Sequence, residues 1–152
     1  MNYKFSEGAA KLIAQFEGFK SKPYLDSNNI PTIGYGTVYY ENGTKVTMND
    51  APVTQERALE LLLFHLNKVE LPDINNHITV SNLTQNNIDA IGCLAYNIGD
   101  GGFDKSTVLK DIDSHIGGES LETAWLAWSK AGGQTIQGLL NRRKKEFEYF
   151  NS

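Results

Sequence analysis

The sequence predicts an α+β, bilobal domain: a small N-terminal lobe containing β-hairpins, a larger helical C-terminal lobe, and a long helix joining them. Three observations lead there. Apolar residues recur at helical spacing over most of the chain. Between Lys22 and Thr47 that periodicity gives way to Pro, Gly, Asn and β-formers, and no repeat, low-complexity tract or Pro-rich linker divides the 152 residues. The lobes are expected at about 1–54 and 71–152, with the connecting helix at 55–70 and the whole chain forming one domain.

Ala9, Leu12, Ile13 and Phe16 mark one face of a first helix from Ser6 to Phe16, with Ser6 as its N-cap and Gly18 as its stop. Tyr24-Leu25-Asp26, Pro31-Thr32-Ile33-Gly34 and Val38-Tyr39-Tyr40 are short β-prone runs. Ser27-Asn28-Asn29 separates the first two and Asn42-Gly43 follows the third, which is the pattern of antiparallel hairpins. Thr54 is placed to cap a long helix, Gln55 to Glu70, striped by Ala58, Leu59, Leu62, Leu63, Leu66 and Val69, and Pro72 is expected to stop it. Thr84 to Ile98 repeats the logic through Ile88, Ile91, Leu94, Ala95 and Ile98, with Gly99 at its end. Further helices are expected at Ser106–Ile116, Leu121–Lys130 and Gly138–Phe150, the first two ending at Gly117-Gly118 and Gly132-Gly133.

A chain of this length buries a sufficient core without disulfides or a structural metal. Its longest strongly apolar stretch, Leu59 to Leu66, is interrupted by Glu60 and His65. It is far shorter than the roughly 20 residues of a membrane span, so no membrane insertion is expected. A net charge of −4 and the lack of aromatics interleaved with basic residues argue against nucleic acid as a partner. The lone cysteine, Cys93, lies in the apolar run Ile88 to Tyr96 and reads as a buried thiol. His65, His77 and His115 show no metal-ligand spacing, and Gly34-Tyr35-Gly36 lacks the following helix of a nucleotide loop, so no cofactor is expected. Arg142-Arg143-Lys144-Lys145, balanced by Glu146 and Glu148, reads as a solvated helix face, with local attraction to an anionic surface as the other reading. Met1 to Glu7 has no basic start, apolar run or small-residue cleavage site, so the expected place of synthesis is the cytoplasm. With no heptads or evident dimer face, a monomer is expected.

Three residues stand out chemically. Glu17 ends the first helix on the margin of its apolar stripe, between Phe16 and Phe19 on either side of Gly18, and is expected to be half-buried, a suitable place for a carboxyl that donates a proton. Asp26 closes the first β-run, and Thr32 lies in the second. Each has an ordinary alternative: a surface glutamate, a turn-forming aspartate, a β-branched strand residue. Together they say more, because Glu17 and Asp26 flank a hairpin that folds Thr32 back toward both, and cleavage of a glycosidic bond needs two carboxyl groups on opposite sides of a sugar ring.

The strings Phe16-Glu17-Gly18-Phe19, Tyr24-Leu25-Asp26 and Pro31-Thr32-Ile33-Gly34-Tyr35-Gly36-Thr37, with Glu, Asp and Thr spaced by nine and six residues, resemble the catalytic signature of the phage-type lysozymes, glycoside hydrolase family 24. The resemblance continues in order through Gln85 to Ile91, Tyr96-Asn97-Ile98-Gly99, Ser106-Thr107-Val108-Leu109, Trp128 before Ala131-Gly132-Gly133, and Gly138 to Arg143. It implies a lysozyme-like fold and an endolysin that hydrolyses the β-1,4 bond between N-acetylmuramic acid and N-acetylglucosamine in bacterial peptidoglycan. It further implies Glu17 as general acid, Asp26 as second carboxylate, Thr32 as a hydroxyl helping to hold the attacking water, and inversion at the anomeric carbon. By the same resemblance Arg142 pairs with Glu17, and Val38, Tyr96 and Ser106 contact substrate. Such an enzyme would wait in the host cytoplasm and reach the wall at lysis.

Two other readings use the same residues. A lytic transglycosylase would cut the same bond with one acid and no water, leaving Asp26 and Thr32 without a task. A noncatalytic wall-binding module of the same fold would need none of the three.

Overall fold

The computed structural model describes residues 1–152. No helix in it is long and apolar enough to cross a membrane. α1, Glu7–Ala14, starts at Ser6, whose Oγ accepts from the Gly8 N–H at 3.1 Å. The Ser6 backbone N–H and hydroxyl both donate to Asp89, a fully buried carboxylate that also accepts from Gln85 at 3.0 Å. One buried charge thus takes three donors and pins the start of α1 to a helix more than eighty residues away, as a buried carboxylate requires.

β1, Lys20–Leu25, and β2, Pro31–Gly34, form the antiparallel hairpin, with Tyr24 opposite Thr32, Leu25 opposite Pro31 and a bulge between Lys20 and Tyr24. Isolated bridges, Ile33 to Thr37 and Tyr39 to Lys45, extend the small lobe. Gly34 has φ +67°, and a Cβ there would lie 2.9 Å from that of Ala58, so the strand leaves the sheet where it presses on the next helix. A bidentate pair between Glu41 and Arg57, at 2.6 and 2.7 Å, ties the lobe to that helix from the other side.

The connector departs from expectation at Pro72. α2 runs Gln55–His65, capped by Thr54 through the Arg57 N–H at 3.0 Å. A wider, π-type turn follows over Leu66–Glu70, in which the Leu71 N–H donates to the Leu66 carbonyl five residues back, and α3, Leu71–His77, continues with Pro72 in its first turn. Proline clashes with the carbonyl four residues before it and brings no N–H, but in the first turn of a new helix neither is a defect. The widened turn turns an expected stop into a joint.

α4, Gln85–Ile98, is the central helix, opened by a reciprocal capping box between Thr84 and Asn87. α5, Asp100–Asp104, and α6, Thr107–Asp113, follow, and α7, Gly118–Leu126, is shorter than expected. Its expected tail becomes a turn over 127–129, after which β3, Lys130–Ala131, pairs with β4, Gln134–Thr135, across Gly132 and Gly133 at positive φ. α8, Gln137–Phe150, closes the chain.

Twenty-six buried residues form one hydrophobic core. It draws Ala9, Ala10, Leu12 and Ile13 from α1, Ile88, Ile91, Leu94 and Ala95 from α4, Trp125 from α7 and Phe147 from α8. α1 packs within this core against α4 and α2. Its apolar stripe must cover a helix rather than a two-stranded hairpin that has little area to offer. Cys93, at the middle of α4, is fully buried, and burial pushes its thiol well above the usual range.

Candidate active site

Glu17 follows α1, its N–H still bonded to the Ile13 carbonyl at 3.1 Å, and its side chain is 34% exposed. Facing it is Arg142 of α8, with Nη1 at 3.2 Å from Oε1. Arg142 is held on several sides. Its Nε donates to Glu146 at 3.2 Å, its Nη2 to the Cys93 carbonyl at 3.4 Å, and its guanidinium lies 4.9 Å from the centre of the Phe16 ring. Glu146 is fully buried and also accepts from Arg143 Nη2 at 2.9 Å and from Trp125 Nε1 at 3.1 Å. Arg143 Nε stands 2.7 Å from Glu146 but off the hydrogen-bonding direction, so that contact is Coulombic. Arg143 reaches on to Asn97 at 2.8 Å. The reading of Arg142 to Lys145 as a solvated face is therefore wrong for its first half. Arg142 and Arg143 turn inward onto Glu146, while Lys144 and Lys145 are exposed.

Asp26 ends the hairpin with its N–H bonded to the Ile30 carbonyl at 3.0 Å. Its Oδ1 accepts from the N–H groups of Asn28 at 2.7 Å and Ile30 at 3.0 Å, which fixes the carboxylate and leaves Oδ2 without a protein donor. Side chains two apart on a strand share a face, and so do directly paired residues. Tyr24 and Thr32 therefore project from the same side of the hairpin, and Asp26 follows directly on the end of β1. Thr32 is buried, and its hydroxyl donates to the Ile30 carbonyl at 2.8 Å, so its lone pairs are what it can offer to a visitor.

Tyr24 responds to both carboxylates. Burial, then the charge of Asp26, then that of Glu17 push its hydroxyl above the usual range, so both carboxylates stand near one phenol. Tyr96 of α4 completes the wall. Burial foremost, then Glu17 and Glu70, push its hydroxyl up to about 12, keeping it a donor, and it contacts the ring edge of His65 with centroids 6.4 Å apart. A Cβ on Gly36, a residue with φ +93°, would sit 3.6 Å from that hydroxyl, so α4 and the small lobe meet at this point.

The structure thus brings Glu17, Asp26, Thr32, Tyr96 and Arg142 around one region. Val38 lies further along the small lobe, in a recess of about 300 Å³ with Ile30, Pro31 and Tyr39. Ser106 is buried, and its hydroxyl is committed to the cap of α6, donating to Phe103 at 2.6 Å and accepting from Leu109 at 3.1 Å. It borders the largest concavity, about 900 Å³ between α6 and α7 beside Trp128, which contains Glu119 as its only acid and no carboxylate pair. Two residues beside the site were given no role in the sequence reading. Tyr24 could have been found by its two-residue offset from Asp26; Glu146 stands at helical spacing from Arg142 and Arg143, but its burial depends on contacts far along the chain.

Residues 14–146 match the Phage lysozyme family. The chain belongs to that family. As a phage lysozyme it is a glycoside hydrolase, and its relatives include an endolysin of Salmonella phage P22, 36% identical over 147 residues, with 97% of each chain covered. An endolysin of Bacillus phage PZA is 34% identical over 98% of this chain, which spans 55% of that relative's length. Among solved structures, a P22 lysozyme mutant superposes with a TM-score of 0.85 at 35% identity, covering 99% of this lysozyme and 100% of the other.

Proposed function

We propose that this lysozyme works as one catalytic domain that hydrolyses the β-1,4 bond between N-acetylmuramic acid and N-acetylglucosamine with inversion. The observation that supports the proposal is the hairpin register, which pairs Tyr24 with Thr32 beside Asp26, together with Glu17 held against Arg142; the Tyr24 hydroxyl is raised by the charges of both Asp26 and Glu17. Glu17 gives its proton to the bridging oxygen, and Arg142, 3.2 Å away, holds the carboxylate left behind. A water on the far face of the sugar donates one hydrogen to Asp26 Oδ2 and the other to the Thr32 lone pairs, which aims its oxygen at the anomeric carbon. The carbon–oxygen bond to the leaving sugar breaks as the new one forms, and Asp26 takes the water's proton.

Tyr96 and Val38 flank the glycan on the α4 and small-lobe sides, and Ser106 acts through the first turn of α6. The enzyme meets peptidoglycan as a single chain after release from the host cytoplasm.

Turbidity of purified peptidoglycan, followed with the wild type beside Glu17→Gln, tests the acid. The wild type clears it and the variant does not; equal clearing rules the mechanism out. New reducing ends of inverted configuration are expected, whereas anhydro-muramic ends would mark a transglycosylase, and a covalent sugar ester on Asp26 would exclude inversion.

A further inference from the structure

Outside the glycan site, α3 and α5 meet through acidic side chains. Asp73 and His77, one helical turn apart on α3, face Asp104 of α5. His77 Nδ1 stands 3.4 Å from Asp73 Oδ1 and 3.3 Å from Asp104 Oδ1, and the three ligand atoms all lie within 4.8 Å of one another. Asp104 Oδ1 and Asp73 Oδ2 are enclosed from solvent and accept no hydrogen bond from an N–H or hydroxyl donor; their nearest hydrogen-bonding groups are each other's carboxyls and His77. No lysine or arginine forms an ion pair with any of these aspartates; the partner recorded for Asp73 and Asp104 is His77. A buried carboxylate oxygen without a donor is costly, and two facing each other across a helix contact call for positive charge between them.

We propose that Asp73, His77 and Asp104 bind one divalent cation of the Zn²⁺ type. Ligands about 2.0–2.1 Å from a tetrahedral zinc are separated from one another by roughly 3.3–3.4 Å. The two separations from His77 Nδ1 already have that value. An imidazole with two carboxylates suits zinc or its first-row neighbours better than Ca²⁺ or Mg²⁺, which prefer oxygen alone. Water fills the fourth position. Nδ1, now 2.9 Å from the Asp73 carbonyl, gives up its proton to bind, so loading releases a proton to the buffer. The cation fastens α3, just beyond the π-type turn of the connector, to α5 and the helical body.

The test is calorimetric titration of the chelator-treated full chain with Zn²⁺ alone, in buffers of different ionisation enthalpy, together with thermal unfolding. One ion binds per chain with proton release, and at a hundredfold excess over Kd the Tm rises by about 5 °C or more. His77→Ala and Asp104→Asn lose both signals and clear peptidoglycan at the wild-type rate. Asp104→Asn also removes one of the facing charges, so its metal-free form is at least as stable as the metal-free wild type. The proposal is overturned by the absence of binding, by equal affinity in His77→Ala, by loss of binding in His65→Ala with His77→Ala intact, or by a metal-free Asp104→Asn that is less stable than the wild type.

Discussion

Replacing Glu146 with glutamine keeps the shape of the side chain and removes the one carboxylate that faces Arg142, Arg143 and Trp125. All of Glu146 and Arg143, and all but 5% of Arg142, are out of solvent, so water cannot replace the lost charge. Breaking such a buried pair from one side costs about 3–5 kcal/mol, because it strands the opposite charge. In a chain of this size each kcal/mol moves the midpoint by about 2–4 °C, giving a Tm lowered by roughly 6–20 °C. A domain stable by about 8 kcal/mol or more, within the usual range of about 5–15 kcal/mol, keeps most of its molecules folded after that loss, and the urea titration shows directly whether the variant is folded under assay conditions.

Activity should fall as well, by about tenfold to a hundredfold in kcat, since Arg142 loses one of the contacts that aims it at Glu17. Urea unfolding gives the stability and peptidoglycan clearing gives the rate. A cycle with Arg143→Met provides the control: if the two charges act on each other, the double variant loses less than the sum of the single losses. A stability change under about 1 kcal/mol with an unchanged rate would refute the account of Arg142 as a side chain held in place by buried charge.

In the small lobe and the core, other outcomes are expected. Asp26→Asn should abolish clearing almost as fully as Glu17→Gln, while Thr32→Ala should lose less, since only one of the water's two acceptors is gone; equal losses would overturn that division of labour. The Arg57 hydrogen bond holds the Glu41 carboxyl below its usual range, so this pair stabilises the fold above the ordinary glutamate range and ceases to do so as pH falls through the lowered value. Both partners are more than a third exposed, at 39% and 37%, so Glu41→Gln should cost at most about 1 kcal/mol at neutral pH and nothing in acid. Paired urea titrations across that range would show it. Cys93, buried and with its thiol pushed up, should react with a disulfide reagent only when the chain unfolds; rapid labelling of the native protein would contradict its placement.

Much of the fold around the candidate site is legible in the sequence because its signals are local. Ser6, Thr54 and Thr84 announce helix starts by chemistry confined to three or four residues, and the hairpin between Asp26 and Thr32 follows from turn residues set between β-formers. What stayed hidden depends on distance. Pro72 looks like a stop unless the preceding turn widens, and Gly132-Gly133 reads equally as a helix end or a hairpin tip. Arg143 and Glu146 look like surface residues until α4 and α7 are seen to enclose them. The i,i+3 and i,i+4 spacing of Arg142 and Arg143 to Glu146 is visible in the sequence, but it is equally the pattern of an exposed helix face, and only the packing of α4 and α7 decides that these charges are buried.

The bond between Glu17 and Arg142 joins residues 125 positions apart. A ribosome that has translated everything up to position 141 has made a protein whose acid still lacks its cationic partner. That contact therefore forms late, with the emergence of α8 and its docking onto α4, and a chain stalled or clipped before that point carries the hairpin signature without the pair.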